Sequence, residues 1–551
     1  MTASTGPART WPWHAGMAAT ALVVLAPILA LVGLSGQGPG AHWAHLLQFV
    51  LPDALGQTIL LLAGVGVLAA ILGVGCAWLV TAYTFPGQRI LSWALLLPLA
   101  VPTYIIAYAY LDILHPIGPV QTAIRGLLGY GGPREFRLPD LRNLPGAILL
   151  MAFVLYPYVY LTTRSMFATQ AGQLIEAARV LGRSPWGAFF HAALPLARPA
   201  IAVGLALVLL ETLNDIGASE FLGVQTLTVA IYTTWVTRSD LAGAAQIALA
   251  ALLIVSSLIL LERYGRRHLR FTGSRRAAVL RPQRLRGARG WLAAGLGFTP
   301  VVIGFAAPAA YLLALALERL QAGQWPSAGL WRAAGQTLSV AALATIVTLL
   351  LGLVVTWSRR IMARAPVWQQ QMPRLATLGY ALPGTILAIG LLFSLMGLEQ
   401  GLSWLRAATG LTPTGLILLG TPTALVLAYV IRFLAIPVGT LESGLDRIPG
   451  TFEQAARSMG ETVNGTLWRV HLPMLRPALA ASALLIFVDA MKELPATLLL
   501  RPMNFETLAT WLYGEAARGS YEEGAIAALG IVAVGLLPVV LLSRVLDRPN
   551  R

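Results

Sequence analysis

One cysteine, one lysine and seven histidines occur in 551 residues, and only 11% of the residues are charged. Each shortage excludes a class of function. Cys76 alone can form neither an intramolecular disulfide nor a multi-cysteine metal site, and it reads as a small apolar packing residue. Lys492 stands between Met491 and Glu493, so the chain has no Gly-x-x-x-x-Gly-Lys-Ser/Thr phosphate loop. No apolar stretch clusters His, Cys and carboxylates as metal or acid–base catalysis needs, so a membrane-embedded enzyme is disfavoured. So little charge cannot cover the surface of a soluble protein this large. With 57% hydrophobic residues and a mean hydropathy of +0.71, the sequence describes an integral membrane protein.

Apolar length is what the chain has in abundance. Segments able to cross a hydrocarbon core of roughly 30 Å recur throughout, with the Gly, Pro and Trp content of bilayer helices. Short alternating strands of the barrel type are not seen. Spans are expected near 16–36, 56–82, 90–114, 145–167, 198–216 and 241–262, then 294–317, 336–358, 375–396, 416–440, 476–492 and 524–545. The first is followed by no convincing small-residue cleavage site and by many more spans, so it reads as an uncleaved anchor, not a signal peptide.

The formal charge of +16 invites a nucleic-acid reading, but its distribution argues against one. Ten arginines lie between Arg263 and Arg289, in one hydrophilic linker beside a span. The positive-inside rule places such a block in the cytoplasm, with anionic lipid headgroups as neighbours.

The chain also repeats itself. Glu176-Ala177-Ala178-Arg179-Val180-Leu181-Gly182, followed by Leu194-Pro195 and Arg198-Pro199, matches Gln454-Ala455-Ala456-Arg457-Ser458-Met459-Gly460, followed by Leu472-Pro473 and Arg476-Pro477, at an offset of 278. Gly56-Gln57-Thr58-Ile59 answers to Gly335-Gln336-Thr337-Leu338, Gly73 to Gly352, the Val101-Pro102 break to Leu382-Pro383, and Ser239 and Gly243 to Ser520 and Gly524. Fixed order with a slowly drifting offset is the trace of a duplicated domain. The expected organisation is a six-helix half at 1–262, the Arg-rich linker at 263–290, and a second six-helix half at 291–551. The fold class is an all-α membrane protein of twelve helices, with two parallel halves related by an axis along the membrane normal. The linker, Arg359, Arg360, Arg364 and Arg374, and Arg544, Arg548 and Arg551 then share one side, which makes both termini cytoplasmic. The basic loop 115–144, with Arg125, Arg134, Arg137 and Arg142, falls outside on this topology. Override of the rule by the larger linker bias is the favoured explanation, and a docking face for an acidic partner is the other.

Each repeated motif reads as a short helix, a glycine turn and a second helix that ends at Leu-Pro. Ser184-Pro185 supplies an N-cap and first position in one copy, and Thr462 caps in the other. Paired alanines on an exposed helix let another protein's backbone come close. An amphipathic helix lying on the headgroups is the blander reading, and two copies at equivalent positions weigh against it.

Beyond each motif the next span ends in ionisable residues. Glu211-Thr212-Leu213-Asn214-Asp215 corresponds to Asp489-Ala490-Met491-Lys492-Glu493, so Glu211 matches Asp489, Asn214 matches Lys492 and Asp215 matches Glu493. Such groups at membrane depth cost several kcal/mol unless they pair or line water, which marks them as a pathway or gate. The alternative is that the spans end early at Gly217 and Pro495 and the charges sit in external water.

The spacing Glu-Ala-Ala, three residues, Gly, nine residues, an often aliphatic position, one residue, Leu-Pro resembles the EAA loop of binding-protein-dependent ABC importer permeases. Here it covers about 164–198 and 441–476. Ala192 departs from the aliphatic position, and Gln454 replaces the glutamate, with Glu453 one residue earlier. The resemblance implies that Glu176, Ala177, Ala178 and Gly182, and Glu453, Gln454, Ala455, Ala456 and Gly460, belong to helices that couple to two cytoplasmic ABC ATPase subunits. Those subunits would carry ATP and Mg, leaving this chain without cofactor or catalytic role. Met491 to Pro502, then Asn504 to Thr510, is similar to the second half of ferric-iron ABC permeases, and Glu211 to Asp215 to their first half. That resemblance implies a fused permease of the bacterial inner membrane, importing ferric iron from a periplasmic binding protein, with membrane lipid around it. Carboxylates suit a hard cation, but no stable metal site is expected. Phosphonate, thiamine or polyamine importers of the same fold, and a secondary transporter, are the alternatives.

Overall fold

The computed structural model describes residues 11–35, 43–169, 182, 184–267, 282–361, 367–410 and 416–546. The central linker stretch 268–281, Arg364, Arg548 and Arg551 lie outside the described residues. A backbone surrounded by lipid must satisfy its N–H and C=O groups within its own segment, so the apolar runs fold as helices. Among the described residues, nine helices are long and apolar enough to cross a membrane, or up to twelve if each of three bent pairs is one span. Every stretch read as a span overlaps one of these helices or pairs, although 375–396 starts early, since the helix that carries it begins only at Gly384.

Prolines set the bends. Helices Gln88–Ala100 and Thr103–Ile113 meet at 93°. Proline disfavours the α conformation in the residue before it, and Val101 is extended at φ −111°, ψ 120°. Leu382, before Pro383, is likewise extended at φ −83°, ψ 126°, and the helix Gly384–Ala408 begins after it. Four of the five π turns among the described residues, Leu46–Val50, Phe189–Ala193, Val302–Ala306 and Leu467–His471, are followed two residues later by a proline: Pro52, Pro195, Pro308 and Pro473. A proline ring clashes with the carbonyl four residues back, and a wider turn just before it accommodates that clash.

By packing, the chain divides into two compact units that each take segments from both sequence halves. One comprises residues 1–43, 231–252 and 328–510. In it, the N-terminal helix Trp11–Ser35 lies against Gly384–Ala408 and Ala328–Ile361. The other comprises residues 44–230, 253–327 and 511–551. In it, helices Leu51–Ala82, Leu144–Thr169 and Leu194–Asn214 form the centre, and Ala307–Gln321 packs on the C-terminal helix Tyr521–Leu546. The repeat and the packing therefore partition the chain differently.

The repeated Gly73 and Gly352 are sites of close helix contact. A Cβ on Gly73 would lie 2.7 Å from Val159 Cβ, and one on Gly352 would lie 2.8 Å from Pro437 Cβ. The only strands among the described residues are Tyr83–Thr84 and Gln283–Arg284, paired in parallel.

Candidate functional site

The second repeated motif is fully described. Helix Thr451–Ser458 is followed by Gly460 at φ +90°, a left-handed conformation in which glycine carries no Cβ penalty. Thr462 Oγ1 then accepts the Gly465 N–H at 3.0 Å and opens the second helix, as its capping role requires. Ala456 is buried, whereas Gln454 and Ala455 are exposed between Phe452 and Met459, which is 78% exposed. Glu453 turns inward. It meets Arg360 Nε at 2.8 Å and His471 Nε2 at 3.3 Å, and Arg360 also donates to the Ile448 carbonyl at 3.0 Å. Beneath this latch, Leu353, Trp357, Leu441, Leu445, Val463 and Leu467 form an apolar core.

In the first copy, Glu176, Ala177 and Ala178 lie outside the described residues, as do Arg179 and Arg183. Gly182 is exposed at φ +79°, and Ser184 Oγ accepts the Gly187 N–H at 3.1 Å ahead of the helix starting at Pro185. Trp78, which corresponds to Trp357, packs on Phe167 and Phe189 with ring centroids 5.5 and 5.1 Å away.

The ionisable clusters divide into two kinds. Asp215 and Glu493 are 8% and 5% exposed and cap short helices that restart the chain after a break. Asp215 Oδ1 accepts the Ala218 N–H at 2.9 Å, and its Oδ2 accepts the Thr103 hydroxyl. Glu493 Oε1 accepts the Ala496 N–H at 2.9 Å, while Oε2 accepts the Thr497 N–H at 3.1 Å and the Thr497 hydroxyl at 2.7 Å. Arg432 Nη1 approaches Glu493 Oε1 to 3.7 Å. Glu211, Asn214, Asp489 and Lys492 are instead half-buried, and Lys492 Nζ pairs with Asp489 Oδ1 at 2.9 Å. Among the described residues, no group of three or more His, Cys, Asp or Glu side chains is placed to share a metal ion.

The structure adds residues that the sequence reading passed over. Gln57 and Thr58, which in the sequence mark the repeat, bind backbone: Gln57 Oε1 accepts the Gln225 N–H at 2.8 Å, and Thr58 Oγ1 accepts the Leu227 N–H at 2.9 Å. Their counterparts repeat this, with Gln336 Oε1 accepting from Glu506 N at 2.9 Å and Thr337 Oγ1 from Leu508 N at 2.8 Å. Each pair staples the first turns of a long helix to the segment that follows a capping carboxylate. Arg432 was also missed, although an arginine inside the apolar stretch 416–440 is itself a signal.

Known proteins resemble this sequence. The family described as binding-protein-dependent transport system inner membrane component matches residues 69–271 and again residues 361–551. The Fe(3+)-transport system permease protein FbpB 2 of Haemophilus influenzae is 24% identical over 501 residues, covering 89% of this chain and 90% of the relative. The ferric transport system permease protein FbpB of Actinobacillus pleuropneumoniae is 21% identical over 511 residues, 89% of this chain and 70% of the relative. The molybdenum transport system permease protein ModB of Escherichia coli is 32% identical over 222 residues, only 38% of this chain but 93% of the relative. With two family matches in one chain and helices fit to cross a bilayer many times, this protein belongs to the inner-membrane components of binding-protein-dependent transport systems, a family of ABC importer permeases and not of enzymes.

Proposed function

We propose that the chain supplies the whole membrane pathway of an ATP-driven importer of ferric iron, with twelve spans and both termini cytoplasmic. The observation that carries the iron reading is coverage. The ferric permease of H. influenzae aligns along 89% of this chain, whereas the molybdenum permease aligns with 38% of it. In this reading a periplasmic protein selects and delivers the cargo, two ATPase subunits dock on the two glycine-turn loops, and closure of the ATPases is passed to the helices.

The second loop has the mechanical connections for that task. Helix Thr451–Ser458 presents an exposed face, and Glu453 and Arg360 tie it to the far end of helix Ala328–Ile361. Gln336 and Thr337, near the start of that helix, staple residues 506–508. From Gln336 to Arg360 the rise of an α-helix spans roughly 36 Å, so one rigid element joins the docking end to the opposite side of the membrane. Glu211, Asn214, Asp489 and Lys492 retain accessible surface and are assigned to the pathway. Hard carboxylate oxygens suit a ferric species in passage. Buried Asp215 and Glu493 fix the chain break that follows these residues in each half.

Ala455→Trp tests the coupling role, because Ala455 is exposed and its replacement leaves the apolar core untouched. The expected result is normal membrane insertion with reduced ATPase copurification, because the first loop is untouched, and loss of ATP-driven uptake. Copurification at the wild-type level refutes docking on this face. For the cargo, uptake of radioactive ferric iron is compared with that of phosphonate, thiamine, polyamine and molybdate in vesicles carrying the complete transporter. Uptake of another cargo, with no iron transported, refutes the iron reading.

A further inference from the structure

We propose that residues around the paired strands form a seat for anionic phospholipid headgroups. Strand pairing holds Gln283–Arg284 beside Tyr83–Thr84, and Leu285 N donates to the Thr84 carbonyl at 2.9 Å. The chain then closes tightly onto the helix Ala288–Val301, for a Cβ on Gly290 would lie 2.9 Å from the Leu285 carbonyl oxygen and 3.2 Å from Pro86 Cδ. Helix Gln88–Ala94 packs on the same helix. Four arginines, Arg89, Arg284, Arg286 and Arg289, are brought to this place, all exposed. None forms an ion pair with a described residue, and segments 83–94 and 282–300 contain no carboxylate.

The apolar surroundings identify the partner. Arg289, Leu292 and Leu296 follow one another at helical spacing along a single exposed stripe, while Gly290, Ala293, Ala294 and Gly297 face inward. Leu292 and Leu296 are 65% and 64% exposed, Trp291 beside them 69%, and Ile90 on the neighbouring helix 55%. This stripe heads the apolar helix Ala288–Gln321, so acyl chains are its natural solvent and the arginines stand where headgroups begin. Guanidinium groups bind phosphate oxygens in pairs, and among the described residues no carboxylate pairs with them here. A protein partner would use the charges but leave the adjoining apolar stripe unexplained.

The test is lipid retention by the full chain, extracted from vesicles of equal phosphatidylglycerol and phosphatidylcholine and analysed by native mass spectrometry. Wild type is expected to retain phosphatidylglycerol in preference. The quadruple variant R89Q/R284Q/R286Q/R289Q is expected to lose at least about tenfold of that preference, since each basic residue near the surface adds to anionic-lipid attraction. The corresponding quadruple lysine variant keeps charge and is expected to keep most of it. Equal preference in wild type and the glutamine variant overturns the proposal. So does unchanged lipid preference accompanied by loss of a copurifying protein, which would assign the arginines to a protein surface.

Discussion

Asp215 and Glu493 occupy matching positions in the repeat and do the same work for the backbone, yet each is stabilised differently. Asp215, in its unit, is held by neutral donors, the Ala218 N–H and the Thr103 hydroxyl. Glu493, in the other unit, adds a cation, because Arg432 approaches it to 3.7 Å. One small residue accounts for the room: Gly384 stands where the first half has Thr103, and a Cβ there would lie 2.7 Å from both Arg432 Nη1 and Glu493 Oε1. Duplication preserved the cap and let its electrostatics diverge. The conserved element between the halves is thus the geometry of the chain break, while the charge around it is specific to one half.

Removing the cation is the strongest way to break this comparison. Arg432→Met leaves a buried carboxylate without its ion partner, and loss of one member of a buried pair costs about 3–5 kcal/mol. Denaturant unfolding of the full chain in micelles should show that loss, and Arg432→Met combined with Glu493→Gln should recover part of it. If the single variant unfolds like wild type, Arg432 contributes no stabilisation to Glu493 and the asymmetry has no energetic meaning.

The staples provide the matching control, since here the halves agree to within 0.1 Å. Thr58→Val and Thr337→Val each remove the oxygen that accepts a buried backbone N–H, of Leu227 and Leu508 respectively. An orphaned buried donor costs about 1–3 kcal/mol, and the two variants should lose similar amounts by the same unfolding measurement. A large loss in one half alone would show that the repeat is structurally conserved but energetically one-sided.

Much of this was legible in the sequence. The helices could be read because a bilayer demands long apolar runs, and the turns at Gly182 and Gly460 because a left-handed backbone after a helix favours glycine. The caps at Ser184 and Thr462 were equally local. What escaped was tertiary. The sequence places Glu453 one residue before the usual glutamate of the loop, and only packing shows it turned toward Arg360, 93 residues earlier, and His471. Gln57 and Thr58 bind atoms 168 and 169 residues away, a pairing no local pattern encodes. The division into packing units was hidden for the same reason, since apolar helices carry no mark of which neighbour will cover them.

The smallest effect is expected at Thr103. Thr103→Ala removes one hydroxyl donor from Asp215, which keeps the Ala218 N–H and needs no new partner for a lost cation. A single intramolecular hydrogen bond contributes about 1 kcal/mol net, so the variant should unfold only slightly more easily than wild type. Its value lies in the ratio to Arg432→Met. A loss at Thr103 as large as the loss at Arg432 would mean that the hydroxyl alone stabilises the first cap as strongly as a guanidinium stabilises the second, and the two halves would then differ in chemistry without differing in energy.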